Sequence, residues 1–362
     1  MMPLFCSRPL TLVLLSVAIA LPPLLVAEPG AAQWLSDDLE TQGTTANPQA
    51  PPPPRPPLPN ERIEEQATPL PTEPDLRVTA LAPDKQGRLW VGTWSGLARI
   101  DPNTGRILAR VGLPSPRVES MAVDRAGRIW AGLSSGLVWV DPWSQQSSSY
   151  NFQSPSNRVH ALLVDRRGFL WVGTEQGLVM INPDQAQQMT TLQELPGTSA
   201  RALTQDGAGQ LWVGTLEGLV RVDTASAYII GRIPQVPGGM VQALATGWDG
   251  LVWAGTPTGL LVINPFSQQI ERSVTTFRGK NVTAIEFDPD GTVWVGTDAG
   301  LYNVQPNTGE VLGQIVNLPS HSIAALAPSV AHKTWVGTSD GLAWISESTG
   351  LVRSHGGFTQ QR

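Results

Sequence analysis

From Arg77 onward the chain alternates short apolar-rich runs with tight polar breaks. Val78-Thr-Ala-Leu81 is followed by the turn Asp84-Lys-Gln-Gly87, then by Arg88-Leu-Trp-Val-Gly-Thr93. Trp94-Ser-Gly96 breaks the pattern, Leu97-Ala-Arg-Ile100 resumes it, and the loop Asp101-Pro-Asn-Thr-Gly105 leads to Arg106–Val111. Runs this short, rich in Val, Ile, Leu and Trp and bounded by Asp, Asn, Gly and Pro, predict β-strands. Four of them in sequence predict a four-stranded antiparallel sheet.

The pattern then returns six more times. Its Trp recurs as Trp90, Trp130, Trp171, Trp212, Trp253, Trp294 and Trp335, at steps of 40 and then 41 residues. A fixed period of that length is the signature of a repeat architecture. The expected fold is all-β, a seven-bladed β-propeller with four antiparallel strands per blade. Two residues after each Trp stands a glycine, Gly92 through Gly337, where a side chain would crowd a neighbouring blade. A second series, Gly96 through Gly341, sits where the hairpin must turn with positive φ. Asp84, Asp124, Asp165, Asp206 and Asp288 open the first turn, where a carboxylate can accept from the backbone two residues on.

Val-x-Ala-Leu, then Asp-x-x-Gly-x-Leu-Trp-Val-Gly-Thr, then Gly-Leu-x-x-Ile-Asp-Pro resembles the two-component regulator propeller repeat. In that family the repeats form periplasmic sensor propellers of hybrid histidine kinases and also occur as exported propellers without a kinase. The likeness runs from residue 77 to about 355. No immunoglobulin-like stalk or kinase follows it within the 362 residues, so the expectation is a stand-alone propeller.

The N-terminal quarter has a different character. Arg8 precedes the apolar run Leu10–Ala20, and Pro22-Pro23 interrupts it before Leu24-Leu-Val-Ala27, which reads as a secretory signal peptide over residues 1–27, or up to 32. An uncleaved anchor is the alternative, and the only route to a membrane in this reading. Residues 33–75 are rich in Pro, Gln and Thr and predict an extended spacer. The propeller is expected over 76–355, with 356–362 as a C-terminal tail and residues 61–66 as an alternative further edge strand. The implied location is periplasmic or secreted.

Charge narrows the function. The formal net charge is -6 and no Lys/Arg run is present, which speaks against nucleic acid. Cys6, inside the targeting segment, is the single cysteine, so thiol catalysis and cysteine-held metals drop out. No cofactor or metal is expected: the four histidines do not converge, and Asp288-Pro-Asp290-Gly291 lacks the closing Glu of a calcium loop.

Chain direction puts the entry to each first strand and the turn after each Trp on one face, the upper one. Thirteen residues before Trp stand Arg77, Arg117 and Arg158, and eleven before stand Glu119, His160, Arg201 and Gln242. Arg77, Arg117, Arg158 and Arg201 are expected to form a basic arc around Glu119 and His160 at the channel mouth, suited to an anionic ligand or acidic peptide, or else to pair with nearby turn carboxylates. Trp94, in an upper turn, is a candidate for stacking on a sugar ring, or else a buried Trp between blades. The reading is a non-catalytic binding or sensor-like module whose partner is an anionic ligand, a peptide, a glycan or an envelope protein. Two alternatives stand beside it: a propeller lyase or hydrolase using Glu119 and His160 as an acid–base pair, and an envelope assembly scaffold.

Overall fold

A computed structural model describes residues 75–358. The signal-peptide reading, the spacer up to Pro74 and the edge strand at 61–66 lie outside the described residues. Within them the chain forms seven four-stranded sheets, each in simple sequence order with all neighbours antiparallel. Blade one comprises β1 (Val78–Pro83), β2 (Leu89–Thr93), β3 (Gly96–Ile100) and β4 (Ile107–Val111). β1 lines the central channel and β4 forms the outer edge.

The core lies between blades. Trp90 is fully buried against Val118, Ile129 and Ala131 of blade two, and the same seam recurs around the ring. The glycine two residues past each Trp is what lets the blades approach. A Cβ on Gly132 would lie 2.4 Å from Val159 Cγ1 of blade three, and one on Gly337 would lie 2.6 Å from Val78 Cγ1 of blade one. The second of these contacts belongs to the closing seam, so blade seven meets blade one as any blade meets the next. In the second glycine series φ is positive at six positions, for example +126° at Gly177; Gly259 is the exception.

The turn aspartates do more than brace their turns. In five blades Oδ1 accepts from backbone N–H groups of the turn, while Oδ2 accepts the indole N–H of the blade's own Trp, as between Asp124 and Trp130 at 2.9 Å. Trp is large and carries one obligatory donor, so burying it without a partner would cost about 1–3 kcal/mol. Blade five has Gly247 in the aspartate slot, and Trp253 Nε1 is buried without a hydrogen bond, its ring meeting Phe287 edge-on at 5.8 Å. Blade seven has Ser329 there, and Trp335 donates instead to the Val330 carbonyl at 3.2 Å.

Closure follows the expectation of packing between blades one and seven, since no strand of one blade enters the other's sheet among the described residues. The C-terminal segment adds to that seam. The tail was expected to begin at Gly356, yet Phe358 is completely buried with Val78, Ile100 and Trp335. Around it His355 Nε2 meets the Gly105 carbonyl, Arg110 donates to the Gly357 carbonyl at 3.2 Å, and Lys333 donates to the Pro102 carbonyl at 2.6 Å. The segment through Phe358 is therefore part of the blade-one seam, because an apolar ring there has somewhere dry to go.

Candidate binding site at the upper channel mouth

Backbone hydrogen bonds tie each entry to the turn beside it. Trp94 N–H donates to the Arg77 carbonyl, and Glu175 N–H to the Arg158 carbonyl, at 3.3 and 3.1 Å. The entry residues and the turns after the Trp strands thus share one end of the ring. On that end the expected basic arc is contiguous from blade one to blade four.

At its start, Arg77 chelates Asp75 through Nε and Nη2, and this contact, opposed by some burial, holds the Asp75 carboxyl below its ordinary range. The Arg77 guanidinium carbon lies 3.4 Å from the Trp94 ring centroid and that of Arg117 lies 4.0 Å away. Two guanidinium groups that close to one indole must occupy opposite faces. Trp94 therefore offers no open face for a sugar; it is the spacer that holds two arginines apart by cation–π contact.

Arg117 Nε then pairs with Glu119 Oε1 at 2.8 Å, and Arg158 Nη2 approaches the same oxygen at 3.8 Å. One carboxylate thus serves two cations. Beyond them His160 is half-buried. Burial, reinforced by Arg201 and Arg158 and opposed by Glu175, pulls its pKa down to about 4, so the ring is neutral at pH 7. Its Nε2 is buried without a hydrogen-bond partner. Arg201 has no ion pair among the described residues, and its Nε is likewise buried and unpartnered. Buried polar atoms left unpaired carry a desolvation cost, and at this mouth several gather, on Arg158, His160 and Arg201.

Comparing the slot eleven residues before Trp explains the concentration. Thr79 Oγ1 donates to the Val118 carbonyl of the next blade at 2.5 Å, and Thr283 Oγ1 to the Ile323 carbonyl at 2.6 Å. Gln242, expected in the arc, does the same through Nε2 to the Val282 carbonyl at 2.8 Å and also meets Asn281. In blades one, five and six this slot clasps the next blade. In blades two, three and four it holds Glu119, His160 and Arg201, which make no such clasp. Gln242 therefore belongs to the frame and not to the exposed charge of the arc.

Glu119 and His160 are not brought together as an acid–base pair: the carboxylate faces Arg117 and Arg158. Among the described residues no cluster of metal-binding side chains occurs. The Asp288 turn is a blade turn, its Oδ2 accepting from Trp294 at 3.0 Å.

The sequence reading missed one charge inside the channel. Eight residues before Trp the other blades carry Ala, Leu or Thr, and blade six carries Glu286 on its inner strand (Val282–Phe287). Its side chain is exposed on this channel-lining strand, and the protein packed around it disfavours the charged form and raises its pKa to about 7. A comparison of that slot alone would have found it.

Four stretches of the sequence, residues 72–95, 153–176, 194–217 and 276–299, match the family model of the two component regulator propeller. No curated protein matches the sequence. Among solved structures, the extracellular domains of two hybrid two component systems of B. thetaiotaomicron superpose with TM-scores of 0.63 and 0.65 at 20% identity, over 76% of this chain. The chain covers 40% of the length of each. Virginiamycin B lyase from Staphylococcus aureus is similar over 75% of this chain and 94% of its own, with a TM-score of 0.63 and 15% identity. Likenesses at that identity establish fold alone, and no helix among the described residues is long and apolar enough to cross a membrane. The fold and the matched repeats agree: this chain is a seven-bladed β-propeller, four stretches of which match the two component regulator propeller repeat.

Proposed function

We propose that the protein is an exported, non-catalytic, sensor-like binding module that takes an anionic ligand at the upper mouth, across blades two to four. The observation that carries the reading is the slot eleven before Trp. In blades one, five and six it makes an inter-blade clasp, whereas blades two to four place Glu119, His160 and Arg201 there, with His160 Nε2 and Arg201 Nε left without partners. A carboxylate or phosphate there would meet the guanidinium groups of Arg158 and Arg201 in the bidentate geometry that Arg favours. Neutral His160 adds one donor. Glu119, already shared between two arginines, leaves the arc with surplus positive charge.

Export, to the periplasm or outside the cell, is supported by the apolar N-terminal run and by the extracellular origin of the similar domains. The lyase reading is weaker in this geometry. A general base works best with a pKa near the operating pH. His160 accepts a proton only near pH 4, and Glu119 is held by two cations. The scaffold reading would need a large apolar patch on the outer edges, where Met189, Ile230 and Leu312 stand singly.

A thermal-shift screen against phosphate, citrate and a short polyglutamate peptide tests the proposal. A ligand at 100 times its dissociation constant adds about 2.7 kcal/mol of stability. The expected result is a shift that Arg158→Ala with Arg201→Ala abolishes while the unliganded melt stays within a few degrees. A shift that survives both substitutions would refute the assignment of the site.

A further inference from the structure

The opposite end of the channel carries a second arrangement, independent of the upper mouth. Five residues before Trp, in the first turn of each blade, stand Lys85, Arg125, Arg166, Gly207, Trp248, Pro289 and Val330. The three cations occupy successive blades, and each reaches to the same turn of the next one. Lys85 Nζ donates to the Arg125 carbonyl, Arg125 Nη2 to the Arg166 carbonyl, and Arg166 Nη1 to the Gly207 carbonyl, the last at 2.8 Å. Carbonyl partners fix the side chains in place without neutralising them. None of the three has an ion pair among the described residues, and all three are exposed. Asp249 and Asp290 occupy the corresponding turns of blades five and six, so the positive sector is confined to blades one to three.

The same end also holds every large aromatic side chain that stands exposed among the described residues. Trp143 and Phe266, at 76% and 85% exposure, occupy equivalent positions in the loops between the third and fourth strands of blades two and five. In both loops the residue's own N–H donates to the side chain of Asp141 or Asn264 two positions earlier, which orders the tip that carries the ring. Trp248, at 73%, projects from the first turn of blade five, and Tyr228 begins the outer strand of blade four. Aromatic rings at loop tips on the same end as fixed cations suit a plane with an anionic surface and an apolar layer beneath it. Trp side chains favour the headgroup level of a bilayer, and basic groups favour an anionic leaflet.

We infer that the lower face docks on an anionic lipid surface, Lys85, Arg125 and Arg166 meeting the headgroups and Trp143, Trp248 and Phe266 entering the interface. The propeller would then lie against the leaflet with its upper mouth turned to solvent.

The test uses the chain from residue 75 onward, which contains all seven blades and both sides of the blade-one seam and lacks the apolar N-terminal run. It is co-sedimented with phosphatidylcholine vesicles and with vesicles holding about 30% phosphatidylserine, at low and high salt. Preferential binding to the anionic vesicles, weakened by salt, is expected. Each basic group near such a surface contributes roughly fivefold, so Lys85→Gln, Arg125→Gln and Arg166→Gln together should lower partitioning on the order of a hundredfold. Gln retains an amide donor for the carbonyls, and unchanged melts verify the fold. Trp143→Ser with Phe266→Ser should weaken binding at either salt. Equal affinity for the two vesicle types, no vesicle binding at all, or binding indifferent to the triple change would overturn the inference. Binding of a polyglutamate peptide at these residues with vesicles ignored would assign the arc to a protein partner and overturn it equally.

Discussion

Blades one, five and six differ from blades two, three and four at a single slot, and the difference separates what holds the ring together from what faces a ligand. Eleven residues before Trp, Thr79, Gln242 and Thr283 each donate to a carbonyl of the following blade. Glu119, His160 and Arg201 stand in the same place and make no such bond. The second group gives up a clasp at three neighbouring seams and gathers charge at one side of the mouth. A ring in which only three of the seven slots clasp must have its stability elsewhere, in the buried Trp seams and the close glycine contacts that all seven blades share.

The largest effect should come from breaking that shared frame. Asp124→Ala removes the partner of the buried Trp130 indole and the acceptor of the Arg128 backbone N–H, and it leaves Arg128 unpaired on that side. A loss of about 2–4 kcal/mol in denaturant unfolding is expected, as for other buried networks that lose one member. A similar change in blade five has no counterpart, because Gly247 already leaves Trp253 without an acceptor.

The comparison itself is sharpened by substituting within the slot. Thr79→Val or Thr283→Val keeps the shape and removes one inter-blade hydrogen bond, so each should cost about 0.5–1.5 kcal/mol and leave ligand binding untouched. Arg201→Ala should do the reverse, moving the unliganded stability by less than about 0.5 kcal/mol while removing binding. If both classes of change affected stability alike, the division between clasping and charged blades would fail.

The remaining effect is confined to higher pH and belongs to the channel. Glu286 has a folded-state pKa raised to about 7 by burial, so the folded form binds its proton more tightly than the unfolded form does. Stability from this group is complete below the unfolded pKa, declines as pH rises from there through 7, and is flat beyond. Glu286→Gln should therefore melt higher than the wild type at pH 8 and show little difference at pH 4. Melting curves over that range check the sign.

The frame was legible in the sequence because repetition makes each position its own control: seven glycines two after Trp demand a close approach, and the structure supplies one. The indole partner of the turn aspartates was less visible, since six residues separate Asp124 from Trp130 and only the hairpin brings them together. Phe358 could not be placed, because the repeat pattern stops before it and half of its pocket comes from blade one, some 250 residues away in the chain. At the mouth, the arc of arginines could be read from a fixed offset, but its pairing could not. Asp75 precedes the first repeat, Glu119 is shared across a seam, and Trp94 is covered on both faces by arginines of two blades. Lys85, Arg125 and Arg166 and the lone Glu286 were open to the same slot-by-slot comparison, at offsets of five and eight before Trp.

The central claim is most directly tested by the titration of His160, followed through its ring resonances in the propeller with and without phosphate. The account predicts a pKa near 4 in the free protein, set by burial and by Arg201 and Arg158, and a rise when an anion binds beside those guanidinium groups. A His160 that titrates at its ordinary value near 6.5 and ignores phosphate would contradict it.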